Sequence, residues 1–187
     1  MSCKVKALIQ REMAQMNNET FDTDKFSDLI TANTEYAQTF KYSELTGSAA
    51  RGLAIVTCMD SRINPLSVVG MRSGDAKILR NAGARVTEDV LRTLVLATYL
   101  LNVDRILVMP HTDCRMAQSE ESNIHELIES KFGVDTRSLE FRVTKDQEAA
   151  LKTDINRVRA YPLIREGVSV AGAIYDVKTG KIDFKGF

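Results

Sequence analysis

The sequence predicts an α/β fold with a mainly parallel central β-sheet flanked by helices, and three observations carry that reading. Short apolar, partly β-branched runs recur at 53–57, 76–79 and 105–109, of the kind found in strands buried on both faces. Segments of helical apolar spacing lie between and after them, and capping or turn residues punctuate the changes from one pattern to the other. A chain of 187 residues with 44% hydrophobic content can build one sizeable core, so residues 25–187 read as a single domain and residues 1–24 as an arm of uncertain order.

In the arm, Val5, Leu8, Ile9, Met13 and Met16 have helical spacing until Asn17-Asn18-Glu19-Thr20 interrupts it. From Asp24, an expected N-cap, the residues Phe26, Leu29, Ile30, Ala37 and Phe40 mark one face of a helix expected to end near Gly47. Leu53-Ala54-Ile55-Val56-Thr57 is the first strand, and it delivers Cys58 at its C-terminal end. Asn64-Pro65 reads as a cap followed by proline in a first helical turn, limited by Gly70 and Gly74. Ala76 to Leu79 is the second strand, with Arg80-Asn81-Ala82-Gly83 expected as a loop beyond it.

Thr87-Glu88-Asp89 supplies a capping hydroxyl and two first-turn acids for a helix running to Leu101, with Val90, Leu91, Leu94, Val95 and Thr98 on one side. Arg105 to Met109 is the third strand and ends at Pro110-His111. A further helix is expected over Ser119–Lys131, and Thr144 with Gln147 resembles a capping box opening a helix to Tyr161. Val168 to Val177 is the last long strand, and Lys178-Thr179-Gly180-Lys181 turns the chain into Ile182-Asp183-Phe184.

Composition narrows the function. Lys+Arg and Asp+Glu balance at 25 each, which gives no strong positive field for nucleic acid or an anionic membrane. No apolar run approaches the ~20 residues of a membrane-spanning helix. Three cysteines cannot close a disulfide framework, and a reducing compartment suits thiolate ligands. Lys4, Lys6 and Arg11 hint at an organelle presequence, but Glu12 and Glu19 oppose it, so the cytoplasm is expected.

The chemistry concentrates in Cys58-Met59-Asp60-Ser61-Arg62 and His111-Thr112-Asp113-Cys114. Two thiols and an imidazole are the ligand set of a zinc ion that keeps one position open for water, and H-x-x-C spacing lets a tight turn place two ligands on one ion. Both segments leave the carboxyl ends of predicted strands, where open α/β sheets bind ligands. The bland alternative is that Cys58 and Cys114 are ordinary small buried residues. Two roles are open to Asp60: it accepts a hydrogen bond from the activated water, or it takes the open metal position and silences the site. Arg62 is placed to form a bidentate pair with Asp60, keeping it ionised and off the metal; the alternative is a surface ion pair of little consequence.

Together with Arg80-Asn81-Ala82-Gly83-Ala84, these segments resemble the β-class carbonic anhydrases, and Gly172-Ala173-Ile174-Tyr175-Asp176-Val177-x-Thr179-Gly180 resembles the compact bacterial and archaeal branch of that class. The likeness spans about residues 26–184. It implies one Zn²⁺ per subunit on Cys58, His111 and Cys114, an Asp60–Arg62 catalytic dyad, and reversible hydration of carbon dioxide to bicarbonate by metal-bound hydroxide. Asn81, Ala82 and Gly83 are the candidate substrate loop. The resemblance also implies a homodimer with active sites near the subunit interface, often paired into a homotetramer.

Two departures stand out. The family usually has glycine after the second thiol, where this chain has Arg115, a cation able to narrow the pocket, attract bicarbonate or point to solvent. Some members also use a tryptophan in a regulatory bicarbonate pocket, and this chain has none. The alternatives that remain are a carbon disulfide or carbonyl sulfide hydrolase on the same scaffold, a catalytically silent zinc-binding regulatory protein, and thiol redox chemistry at Cys58 and Cys114. His125 is expected as an exposed helix residue, Asp113 as a cap for the ligand turn, and Gly83 as a residue of backbone shape rather than a phosphate cradle.

Overall fold

The computed structural model describes residues 24–187, so the helical reading of the arm and Cys3 lie outside the described residues. The chain divides after Glu44. Within the first unit, a 3₁₀ turn at Asp24–Phe26 leads into helix α1, Ser27–Gln38. Asp24 does not cap it: its backbone carbonyl accepts from the Ser27 hydroxyl, and Phe26 occupies the cap position. The helix also stops short of Gly47, because the Thr39 N–H turns to the Tyr36 carbonyl; Phe40 then packs edge-on against Tyr36 and Tyr42. Leu29 and Ile30 of the expected apolar face are exposed.

The second unit is built on a five-stranded sheet. Its strands are β1 (Leu53–Cys58), β2 (Ala76–Asn81), β3 (Arg105–Met109), β4 (Ser169–Tyr175) and β5 (Ile182–Lys185), in the spatial order β2-β1-β3-β4-β5. The first four run parallel, and β5 returns antiparallel through the turn the sequence predicts. All six residues of β1 are buried, as its unbroken apolar run requires. Alternation sorts them: Ala54 and Val56 join one core cluster with Ile106 and Val108, whereas Leu53 and Ile55 join the other with Leu107 and Met109.

The first cluster is closed by helices α3 (Glu88–Leu100) and α5 (Gln147–Arg159) through Leu91, Leu94, Leu151, Ile155 and Val158. Gly172 lets α5 lie close on β4, since a Cβ there would come within 2.2 Å of Ile155 Cδ1. The short helix α2, Pro65–Val68, is capped by Asn64, whose side chain accepts from Ser67 N–H, and α3 by Thr87 accepting from Val90 N–H. Helix α4 spans Glu121–Phe132. No described helix is long and apolar enough to cross a membrane.

The segment Arg80-Asn81 is strand rather than loop, because β2 continues in register with β1 as far as Cys58↔Asn81. The cap of α5 is Asp146, which accepts from Ala149 N–H; Thr144 instead donates to the Asp146 carbonyl, and Gln147 turns away to another partner. The strand order fixes where the chemistry collects. The chain leaves β1 toward β2 but leaves β3 toward β4, so a crevice opens between the carboxyl ends of β1 and β3.

Candidate metal centre and active site

Cys58 ends β1, and His111 follows β3 across Pro110, continuing the sheet as an isolated bridge to Tyr175. The turn Thr112-Asp113 then brings Cys114 back, with Asp113 in the left-handed region at φ 56° that aspartate tolerates better than most residues. The sulfur atoms of Cys58 and Cys114 and a ring nitrogen of His111 lie within 4.8 Å of one another, and all three residues are buried. Two donors 53 and 56 positions after Cys58 thus converge on it.

The histidine is prepared for a metal. Its Nδ1 lies 2.8 Å from the Thr112 carbonyl, which can only accept, so Nδ1 carries the proton and Nε2 presents a lone pair. That Nε2 is buried without a hydrogen-bond partner among the described residues. A buried imidazole nitrogen beside two thiols fits a thiophilic divalent ion such as zinc. A hydrogen bond between the thiols lowers the Cys58 pKa and raises that of Cys114, so the pair shares one proton that a cation would displace.

Neighbouring backbone holds this trio in place. Gly83, at φ 77°, aims its N–H at Cys58 Sγ from 3.4 Å, and a Cβ there would press on Met116 Cβ at 3.2 Å, so glycine serves shape as expected. Arg80 donates to the Cys58 carbonyl at 2.8 Å and the Asp60 carbonyl at 2.6 Å. Gln147 donates to the His111 carbonyl at 2.8 Å. Sequence reasoning gave neither residue this role, because no local pattern announces a partner 20 or 36 positions away.

Asp60 stands beside the ligands, its Oδ2 3.7 Å from His111 Nε2. Both its oxygens are engaged by Arg62: Nε to Oδ1 at 2.9 Å, Nη2 to Oδ2 at 2.8 Å, and the Arg62 N–H to Oδ1 at 2.9 Å. These charge-assisted bonds hold the Asp60 carboxyl well below the usual carboxylate range. Arg62 also reaches Asp113, donating from Nη1 to Oδ2 at 2.8 Å and from Nη2 to the backbone carbonyl at 3.1 Å, while Gln118 donates to Oδ1 at 2.8 Å.

A cavity of about 490 Å³ opens over this arrangement, its wall formed by Cys58, His111 and Cys114 with Met59, Ala82 and Met116. Of the candidate substrate loop, Ala82 lines it, Gly83 supports the thiol, and the Asn81 amide is engaged with the Arg85 backbone. Arg115 is exposed at the rim. His125 corrects its expectation: it is half-buried, bonded to the Thr136 hydroxyl at 2.9 Å and set against the Phe141 ring, because the segment after α4 folds back over it.

The carbonic anhydrase family model matches residues 53–182, the stretch that contains every one of these elements. The chain belongs to the β-carbonic anhydrase family. β-Carbonic anhydrase 1 of Mycobacterium tuberculosis is 32% identical over 157 residues, covering 83% of this chain and 94% of that one. The crystal structure of a carbonic anhydrase from Streptococcus mutans superposes with a TM-score of 0.81 at 36% identity, covering 90% of this chain and all of the other. The carbon disulfide hydrolase of Saccharolobus solfataricus is also similar, at 31% identity over 156 residues, with 71% of this chain and 76% of that one covered. As a β-carbonic anhydrase the chain is an enzyme of carbon dioxide hydration, and its parallel sheet with flanking helices is the fold of that family.

Proposed function

We propose that this protein catalyses reversible hydration of carbon dioxide to bicarbonate and a proton, with one zinc ion held by Cys58, His111 Nε2 and Cys114. The observation that carries the reading is the buried His111 Nε2, unpartnered among the described residues, facing two thiols while Arg62 fixes Asp60 beside them. Zinc, when bound there, supplies Lewis-acid activation of water near neutral pH. The protein's own groups do the rest. Asp60 is too acidic to hold the departing proton, so it acts as a hydrogen-bond acceptor that orients the attacking water. Arg62 keeps that carboxylate charged and fixed beside the ligand trio.

Carbon dioxide has no charge or dipole, and Ala82, Met59 and Met116 offer it an apolar wall. As the water oxygen bonds to carbon, one C=O electron pair moves onto oxygen, and the proton passes to buffer through the open mouth. Zinc-loaded protein is expected to accelerate hydration in a stopped-flow indicator assay with one zinc per chain. Stoichiometric zinc without hydration between pH 6 and 9 overturns the reading and favours a silent zinc-binding protein.

The likeness to a carbon disulfide hydrolase makes that substrate the second reading. Sulfide release from carbon disulfide or carbonyl sulfide faster than carbon dioxide hydration would replace the first. Exposed apolar side chains, Leu29 and Ile30 on α1 and Leu96, Tyr99 and Leu100 on α3, support a homodimer or homotetramer, which light scattering measures. A cytoplasmic setting agrees with the free, buried Cys58 and Cys114 thiols.

A further inference from the structure

The geometry points to Asp113, oriented by Gln118, as a positioning residue that sets where Asp60 stands; the inference rests on the carbon dioxide hydration reading above. Arg62 bridges the two ligand segments. Its Nε and Nη2 face Asp60 on the β1 side, whereas Nη1 and Nη2 face the Asp113 carboxylate and carbonyl inside the turn that joins His111 to Cys114. A guanidinium held by Asp60 alone can swing together with that carboxylate as one unit, since a bidentate pair moves without breaking its own bonds. Asp113 removes that freedom by anchoring the opposite edge of the fork, and Gln118 in turn fixes Asp113 through Oδ1. The result is a chain Gln118–Asp113–Arg62–Asp60 that ends 3.7 Å from His111 Nε2.

The pairs in this chain are exposed, with the Arg62 and Asp113 side chains at 44% and 49%, so their worth as stabilising salt bridges is small. Their worth lies in geometry. Asp60 can take the open metal position only if its carboxylate and Arg62 move together, and Asp113 opposes that movement. Asp113 touches neither the ligand trio's donor atoms nor the cavity wall. It therefore acts through Arg62.

Asp113→Gly is the decisive variant, because glycine accepts the positive φ and removes the carboxylate anchor on Nη1 while the backbone carbonyl that receives Nη2 stays. With zinc at one per chain, kcat is expected to fall about tenfold at unchanged KM for carbon dioxide, the scale of losing an outer partner of a metal site. A crystal structure of the zinc-loaded variant is expected to show Asp60 on the metal. Asp113→Asn should restore most of the rate, since its oxygen still accepts from Arg62 and the Gln118 amide can turn to accept from the new NH₂. Gln118→Ala, which leaves the ligand turn untouched, is expected to lose about threefold, the effect of a group one step further out.

Asp113→Gly with unchanged kcat and Asp60 still paired to Arg62 overturns the inference, and so does loss of zinc, which would make Asp113 a support of the ligand turn instead. A wild-type protein inactive toward carbon dioxide defeats the functional reading alone, because the position of Asp60 in the variant crystal still decides the role of Asp113.

Discussion

Two arginine–aspartate pairs in this molecule share one geometry and serve opposite ends. Arg62 and Asp60 meet through Nε and Nη2 at 2.9 and 2.8 Å, with side chains 44% and 20% exposed beside the ligand trio. Arg85 and Asp154 meet through Nε at 2.7 Å and Nη2 at 3.4 Å, with side chains 18% and 5% exposed beneath α5. The difference lies in surroundings. An exposed pair contributes little to stability and is free to serve chemistry, whereas a buried pair whose partner is removed leaves an uncompensated charge in the core. Arg85 also donates to the Arg142 carbonyl, and its backbone is bonded to the Asn81 amide, so the buried pair ties α5 to the segment that carries Gly83.

The largest loss is expected at Asp60. Asp60→Asn keeps the shape but presents an NH₂ where a charged acceptor stood, and kcat/KM is expected to fall at least a hundredfold, the range of an acid–base or orienting group. Its melting temperature should stay within a few degrees of wild type. A variant that retains full hydration activity in the stopped-flow assay would remove the dyad from the mechanism.

Asp154→Ala should show the reverse pattern. Leaving Arg85 buried and unpaired costs about 3–5 kcal/mol, which for a chain of this size lowers the melting temperature by roughly 6–20 °C. Activity per folded, zinc-loaded molecule should change less than it does for Asp60→Asn. Calorimetry beside active-site zinc titration separates the two effects, and an unshifted melting temperature would mean that water reaches Arg85.

Arg115 gives a smaller test of the exposed side. Asp60, Arg62 and Asp113 satisfy one another, while Arg115 lines the same cavity with no side-chain ion pair or hydrogen bond among the described residues. Arg115→Gly is expected to weaken inhibition by small monovalent anions about threefold, the order of one exposed charge interaction, and to lessen its dependence on salt. Equal inhibition constants at low and high ionic strength in both proteins would place Arg115 in solvent, outside the reaction.

The contrast between the pairs also explains what the sequence disclosed. Asp60 and Arg62 are two residues apart at the end of a strand, so their pairing was legible, as were the ligands, which sit in two short motifs at strand ends. The β1 and β3 runs and the Thr87 cap were legible for the same reason: their signals are local. Arg85 and Asp154 are 69 positions apart, and Gln147 and His111 are 36 apart. Such partners are set by how α5 packs on the sheet. Gln147 was misread as a capping residue because Thr144-x-x-Gln147 satisfies a local pattern, while the true cap, Asp146, needed the backbone path to be recognised. Asp113 was expected to cap its turn, whereas its carboxylate accepts from Arg62 and Gln118, and the bond to Arg62 depends on the two ligand segments meeting in space.

The smallest expected effect concerns pH. The Asp60 carboxyl is held down chiefly by the Arg62 side chain and then by the Arg62 backbone N–H, so its folded pKa lies below the unfolded value of about 3.9. As pH falls below that unfolded value, the unfolded chain takes up the proton first, which favours unfolding; the contribution is present above about pH 4 and is lost as pH drops through the folded pKa. The stability difference between wild type and Asp60→Asn should therefore be flat from pH 5 to 8 and shrink below pH 4. Denaturant titrations at half-unit intervals would show this, and a difference that changes between pH 6 and 8 would mean that another group carries the linkage. Because Asp60 stays ionised throughout the neutral range, an acid limb of activity near pH 6 or 7 must come from a different proton. The same Asp60→Asn protein tests this, since its residual activity should keep a limb at the pH where wild type has one.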